Sequence, residues 1–223
     1  MSFFHRLVAE TAAEQQILGA VPQIQDGLAG RISRETYVAY LTEAYHHVKH
    51  TVPLMQAARA GLDDAHAVFR AALDEYIVEE TGHERWILSD IRHSGGDAEA
   101  VAAGEPRPQT QAMVDYAYAF IRDRNPMGFF GMVFVLEGTS VQLATQGAEA
   151  VARSLGLGPE CFSYLTSHGS LDIEHMGFFQ RLMDQVTDPR DQADIVEAAR
   201  RIFVLFADLF RAIPHARSLA HAV

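Results

Sequence analysis

Apolar residues recur along this chain at intervals of three and four, and almost nowhere at every second position. That period belongs to helices buried along one face, so helices are expected throughout and no sheet. Gly, Pro and capping residues punctuate the pattern. A first helix is read over 3–20, stopping before Pro22. Ser33 is placed to cap a second that runs to 59, with Pro53 kinking its far end. A third follows Asp63 or Asp64 and is broken after 93 by Ser94-Gly95-Gly96-Asp97. A fourth follows Pro108. Asn125-Pro126, a cap followed by Pro at the first helical position, opens a fifth that extends to 155. Gly156-Leu157-Gly158-Pro159 separates it from a sixth over 160–186, and Asp188-Pro189 repeats the cap-plus-Pro signal for a seventh ending near Pro214. The expected architecture is one all-α domain over 1–223, a bundle of about seven antiparallel helices joined by short loops.

Composition narrows the function. With 48% hydrophobic and 21% charged residues, the 223-residue chain is globular and long enough to build a core without staples. Cys161 is the sole cysteine, so no internal disulfide can form. Lys+Arg is 18 against 29 for Asp+Glu, a net charge of −11. Lys49 is the only lysine and the arginines are dispersed, so no basic patch offsets repulsion from phosphate backbones or anionic bilayers. Neither nucleic acid nor a membrane is an expected partner. The first residues lack the basic and apolar regions of a secretory signal. The most apolar run, 126–136, falls short of the ~20 residues that span a bilayer. The expected location is the cytoplasm.

The candidate chemistry lies in acidic and histidine residues at helical spacing. Glu137 follows the run MGFFGMVFVL, in a helix apolar almost all round. A lone ionised carboxylate there would cost many kcal/mol, so it must be paired, neutralised or metal-bound. Hydrogen bonding to a Tyr or Arg of a neighbouring helix would serve equally. His168, Asp172 and His175 lie at offsets of four and seven, within about 60° of one another on a helix face. Imidazole and carboxylate on one face suit a first-row transition metal, although a solvated polar face gives the same pattern. In Glu79-Glu80-Thr81-Gly82-His83-Glu84, Glu80 and His83 form the Glu-x-x-His unit that di-iron carboxylate bundles use, and Asp172 to His175 repeats it with Asp. Three carboxylates and three imidazoles on separate helices make a set balanced for two irons. Glu43, His46, His47 and His50 share helical spacing in the second helix and are read as lining a pocket or backing the ligands, since a ligating imidazole needs a partner for its other nitrogen. Tyr45, Tyr76 and Glu79 fall beside these groups. Cys161 reads as a small core residue. His5, His66, His93, His215 and His221 read as surface groups.

Together, Glu-Glu-x-Gly-His-Glu at 79–84, Glu137-Gly138 in a later apolar helix and His-x3-Asp-x2-His at 168–175 resemble the haem-oxygenase-like di-iron oxidases and oxygenases. These share a fold with thiaminase II and pyrroloquinoline quinone synthase, and include the chlamydial death-domain-associated group. The resemblance covers about 5–212 and is strongest at 79–84 and 165–178. It implies metal ligands at Glu80, His83, Glu137, His168, Asp172 and His175. It further implies two iron ions, with manganese an alternative in one position, and O2-dependent oxidation of a small organic substrate. Some members set the histidine further from its glutamate, and some place an extra carboxylate ligand on the second helix, where this chain has the 43–50 cluster.

Three competing readings keep the fold. A thiaminase-like enzyme needs a Cys nucleophile, and Cys161 does not match its position; a quinone-forming relative would need no metal. A haem-degrading enzyme needs a proximal histidine near the N-terminus, where His5 is the only candidate in the first helix. A non-catalytic metal- or partner-binding protein would hold metal without turnover. Relatives of this fold usually pair, and Ile202, Phe203, Val204, Leu205 and Phe206 exceed what one buried stripe requires, so a homodimer is expected.

Overall fold

Sequence-local chemistry sets where each helix begins. Ser33 accepts a hydrogen bond from the Thr36 amide, Asn125 from that of Met127 and Asp188 from that of Arg190, so all three caps expected from the sequence are made. The computed structural model describes residues 1–215, with the side chains of 168–174 outside the described set. Among the described residues there are twelve α-helices, three short 3-10 turns and no strand. The helices are α1 (Phe3–Glu10), α2 (Ala12–Gly19), α3 (Pro22–Leu28), α4 (Arg34–Val48), α5 (Thr51–Gly61) and α6 (Ala67–Glu80). They continue as α7 (His83–His93), α8 (Ala98–Ala103), α9 (Pro108–Asp123), α10 (Phe129–Leu155), α11 (Ser163–Met183) and α12 (Pro189–Ala212).

The helix count exceeds the expected seven because three long helices are cut. The first breaks at Thr11, whose hydroxyl donates to the Leu7 carbonyl at 2.8 Å and competes with the backbone ladder. The second breaks at Lys49–His50, so Pro53 sits in the first turn of α5, where its missing N–H costs nothing, and is not a kink within a longer helix. The third breaks at Thr81–Gly82: Gly82 takes φ +97°, a left-handed conformation open to glycine, and α7 departs in a new direction. Two short helices, α3 and the Asp97-capped α8, are additional to those the sequence predicts.

Helix α10 runs through the middle of the bundle, in contact with α3, α5, α9, α11 and α12. Phe130 and Val135 on it are fully buried, each side chain stabilising by about 1.5–3 kcal/mol relative to exposure. Together with the turn before it, α10 runs 30 residues, and its most apolar window has mean hydropathy 1.4, enough by length and composition to cross a bilayer. This corrects the expectation that the apolar run was too short; more than half of its most apolar window is packed inside the bundle. Gly131 lets α12 approach closely: a Cβ there would lie 2.5 Å from the Ile195 carbonyl oxygen. On α12, Ile202, Phe203, Leu205 and Phe206 are buried within the chain itself and only Val204 is partly exposed. The apolar surplus behind the homodimer expectation is therefore absorbed by the bundle. A second, smaller core forms where α4 meets α7, around Tyr37, Leu41, Ile87, Ile91 and Phe162.

Candidate metal centre

The last turn of α6 and the first of α7 place two of the sequence-derived ligands side by side. Glu80 and His83 are not on one helix, as the Glu-x-x-His reading assumed; the left-handed turn at Gly82 separates them. That turn folds His83 back, so its Nδ1 stands 2.9 Å from Glu80 Oε2 with both side chains buried. His83 is held flat against Trp86, ring centroids 4.1 Å apart.

Glu137, on the buried α10, faces the same cavity as Glu80. The cavity holds about 200 Å³ and is walled mainly by α3, α4, α5 and α10, with Phe206 and Phe210 from α12. On α11, His175 turns Nδ1 to 3.9 Å from Glu137 Oε1, while its Nε2 lies 3.0 Å from Glu79 Oε2. Adjacent in sequence, Glu79 and Glu80 point ~100° apart around α6: Glu80 faces inward, whereas Glu79 is 54% exposed and reaches His175 from outside. Tyr76, one turn earlier and fully buried, packs edge-on against His175. Positions 168 and 172 also fall on α11, but the side chains of His168 and Asp172 lie outside the described residues.

The donor set suits iron. Two carboxylates, Glu80 at 8% and Glu137 at 9% exposure, face one cavity whose described lining contains no Lys or Arg. Buried carboxylates need hydrogen-bond partners, a cation or a proton to offset their lost hydration. Glu80 and His83 already meet at 2.9 Å, the distance of a hydrogen-bonded carboxylate–imidazole pair, and both residue types are iron donors. Among the described residues, no three His, Cys, Asp or Glu side chains converge as a ready metal group. The set therefore depends on what α11 adds.

The second-helix cluster divides. His47 alone lines the cavity, edge-on to Phe206. Glu43 points instead to the start of α9, where it accepts from the Arg107 amide at 3.1 Å and from the Thr110 hydroxyl, capping that helix from outside. His46 lies 3.2 Å from Lys49 Nζ and edge-on to Tyr45, and His50 lies 3.2 Å from the Tyr118 hydroxyl. Burial, followed by Lys49, holds both imidazoles below their ordinary value. Glu43, Tyr45, His46 and His50, expected to line a pocket or back the ligands, are thus not part of the described cavity lining and engage these other groups instead.

Other groups also differ from their reading. His66 and His215 are not bare surface groups: His66 bridges Asp63 and Asp191, and His215 Nε2 lies 2.9 Å from Asp26. His5 is exposed beside Ser2, away from the cavity, and His221 lies outside the described residues. Cys161 is buried but does not line the cavity; its carbonyl accepts from the Tyr37 hydroxyl at 2.7 Å. Asp90, which the sequence reading passed over, is fully buried on α7 and accepts from the Ser163 and Tyr164 amides, capping α11. Its only sequence signal was an acidic residue inside an otherwise amphipathic helix.

The fold has clear relatives of known structure. A domain of unknown function with a heme oxygenase-like fold from Shewanella denitrificans superposes with a TM-score of 0.85, at 23% identity, over 96% of this chain and 92% of the other. A TenA homolog from Pseudomonas syringae pv. tomato gives 0.80 at 12% identity, over 95% and 91%. Heme oxygenase-1 from the cyanobacterium Synechocystis, in complex with heme, gives 0.74 at 13% identity, over 94% and 91%. In sequence, the chain is 23% identical over 178 residues to a 4-aminobenzoate synthase of Chlamydia muridarum, covering 78% of this chain and 74% of that protein. Residues 38–207 match the family described as iron-containing redox enzyme. That match takes in α4 to α12 with Glu80, Glu137 and His175, and the chain belongs to the haem-oxygenase-like family of iron-containing redox enzymes.

Proposed function

We propose that this chain is an O2-dependent non-haem di-iron oxidase or oxygenase acting on a small organic substrate. The observation that carries the reading is the pair of buried carboxylates, Glu80 and Glu137, facing one cavity from two helices, each with an imidazole beside it. Glu80, His83, Glu137 and His175 would hold the iron, with His168 and Asp172 from α11 completing the set. Bound iron supplies the electron transfer to O2, which these side chains cannot perform. Glu79 acts from behind: its contact with Nε2 of His175 fixes the ring and leaves Nδ1 toward Glu137, the carboxylate–histidine arrangement that orients metal-bound imidazoles. His47 is the imidazole that α4 contributes to the cavity wall, placed to accept or return a proton. Leu136, Val133, Met132 and Phe206 exclude water around them.

The Chlamydia muridarum relative, by its name, makes a small aromatic acid. A small organic substrate is the part of that description carried to this chain. A thiaminase-like reading lacks its cysteine nucleophile at the cavity, because the sole cysteine, Cys161, is buried outside the described lining. The test is anaerobic Fe(II) titration followed by mixing with O2. The expected result is uptake of roughly two ions per chain and an O2-dependent absorbance transient, both lost in Glu137→Ala and Asp172→Ala. Absence of tight iron uptake, or iron uptake with no response to O2, would reject the proposal.

A further inference from the structure

The cavity beside the carboxylates has a chemical character that defines what it admits. Its described lining has no Lys, Arg or Asp, and beyond Glu80, Glu137 and His47 its titratable groups are tyrosines. Burial pushes the phenols of Tyr37 and Tyr40 far above their ordinary value, so they remain neutral. The rest is mainly aliphatic and aromatic, with Tyr40 and Phe210 stacked 5.7 Å apart, and its uncharged polar groups are Gln23, Thr36, Thr51, Thr139 and Ser140. A dry apolar cavity of roughly 150 Å³ takes up benzene, so about 200 Å³ holds a molecule of one or two rings, or its alkyl equivalent.

Two glycines on the lining mark the way in. Gly27, inside α3, and Gly147, inside α10, are both half-buried, on facing helices between cavity and surface. Neither has a positive φ. Packing does not require them either: a Cβ at Gly27 would meet no atom within 4 Å, and one at Gly147 would make only ordinary contact with Leu28 at 3.8 Å. Each costs its helix about 0.5–1 kcal/mol relative to alanine. What both positions keep is empty space.

We infer that this cavity binds a compact, uncharged, apolar substrate body of one or two rings, admitted between α3 and α10 past Gly27 and Gly147. The inference deepens the proposed oxidase reading and rests on it for the identity of the occupant as substrate. An anion is disfavoured because the described lining has no Lys or Arg to pair with it, a cation away from Glu80 and Glu137 would be equally unpaired, and burying an unpaired charge is costly.

The test uses the full chain with iron content measured in each sample, and indole as the probe, followed by calorimetry or equilibrium dialysis. Saturable binding of indole at one site is expected in metal-free protein, with indole-5-carboxylate at least about tenfold weaker. Gly27→Phe and Gly147→Phe are each expected to weaken indole binding by about tenfold or more without changing iron uptake. Gly19→Phe, a helical glycine with open space around it and no place on the cavity, serves as control and should bind as the parent does. Unfolding midpoints identify any variant that fails to fold, and the anion comparison on the parent protein stands without the variants. Non-saturable indole binding, equal affinity for the carboxylate, or unchanged binding in folded Gly27→Phe and Gly147→Phe would overturn the inference. Iron uptake is read separately, so loss of iron binding with indole binding intact counts against the oxidase reading alone.

Discussion

Asp90→Ala tests whether the site's scaffold is held as described. The first amides of a helix have no partner within it. In α11 they are met by a side chain from α7: Asp90 accepts from the Ser163 amide at 3.1 Å, the Tyr164 amide at 2.8 Å and the Ser163 hydroxyl. Asp90 is fully buried, so water does not readily replace it. Losing a helix cap costs ~1–2 kcal/mol, and a buried donor left unmet ~1–3 kcal/mol, giving about 3 kcal/mol in total for this site. For a chain of this size each kcal/mol moves the melting temperature by ~2–4 °C, so a fall of about 6–12 °C is expected by circular dichroism. Burial holds the Asp90 carboxyl above the ordinary carboxylate range, its hydrogen bonds to Ser163 and Tyr164 only partly offsetting it. A raised carboxylate contributes stability that is complete below its ordinary value and is lost as pH rises through its folded value. The gap between parent and Asp90→Ala should therefore be wider near pH 4 than near neutrality. A melting shift below about 2 °C, or a gap that widens with rising pH, would refute this account of α11.

Three further outcomes follow from the structure. Gly131→Ala would set a methyl group 2.5 Å from the Ile195 carbonyl oxygen and 2.7 Å from the Ala199 amide nitrogen, both backbone atoms. A loss of about 1–3 kcal/mol is expected, read as a lowered urea midpoint at unchanged slope. His66 is raised above its ordinary pKa: burial pulls it down, but hydrogen bonds with Asp191 and Asp63 outweigh that pull. Its contribution is complete below ~6.5 and lost as pH climbs through the raised value, so His66→Gln should destabilise more near pH 6 than near pH 8.5, measured by urea titration. Glu79→Gln should weaken iron binding by about 10–100-fold in a competition titration. Metal-free melting should barely move, because Glu79 is 54% exposed.

The fold was legible because its signals are local. The caps at Ser33, Asn125 and Asp188 and the apolar run of α10 need no partner to be read. The breaks at Thr11, His50 and Gly82 were missed because the helical period of apolar residues continues through them; only the left-handed φ of Gly82 shows that Glu80 and His83 belong to different helices. The cost of burying carboxylate is what singled out Glu137, and Glu137 does share a cavity with Glu80 and stand 3.9 Å from His175. Spacing puts Glu43, His46, His47 and His50 on one face and could not tell that His47 alone lines the cavity, because the partners that engage Glu43 and His50 at the edge of that face, Arg107, Thr110 and Tyr118, are distant in sequence. Asp90 was hidden for a related reason: its partners, Ser163 and Tyr164, lie more than seventy residues away.

The central claim is that the carboxylates of Glu80 and Glu137 and the imidazole of His175 share a metal centre. An anomalous difference map collected at the iron edge from crystals loaded anaerobically with Fe(II) tests it most directly. The account predicts strong peaks between these three side chains, with oxygen and nitrogen donors at about 2.0–2.2 Å. Iron bound elsewhere, or Glu80 and Glu137 fully ordered with no anomalous density between them, would contradict it.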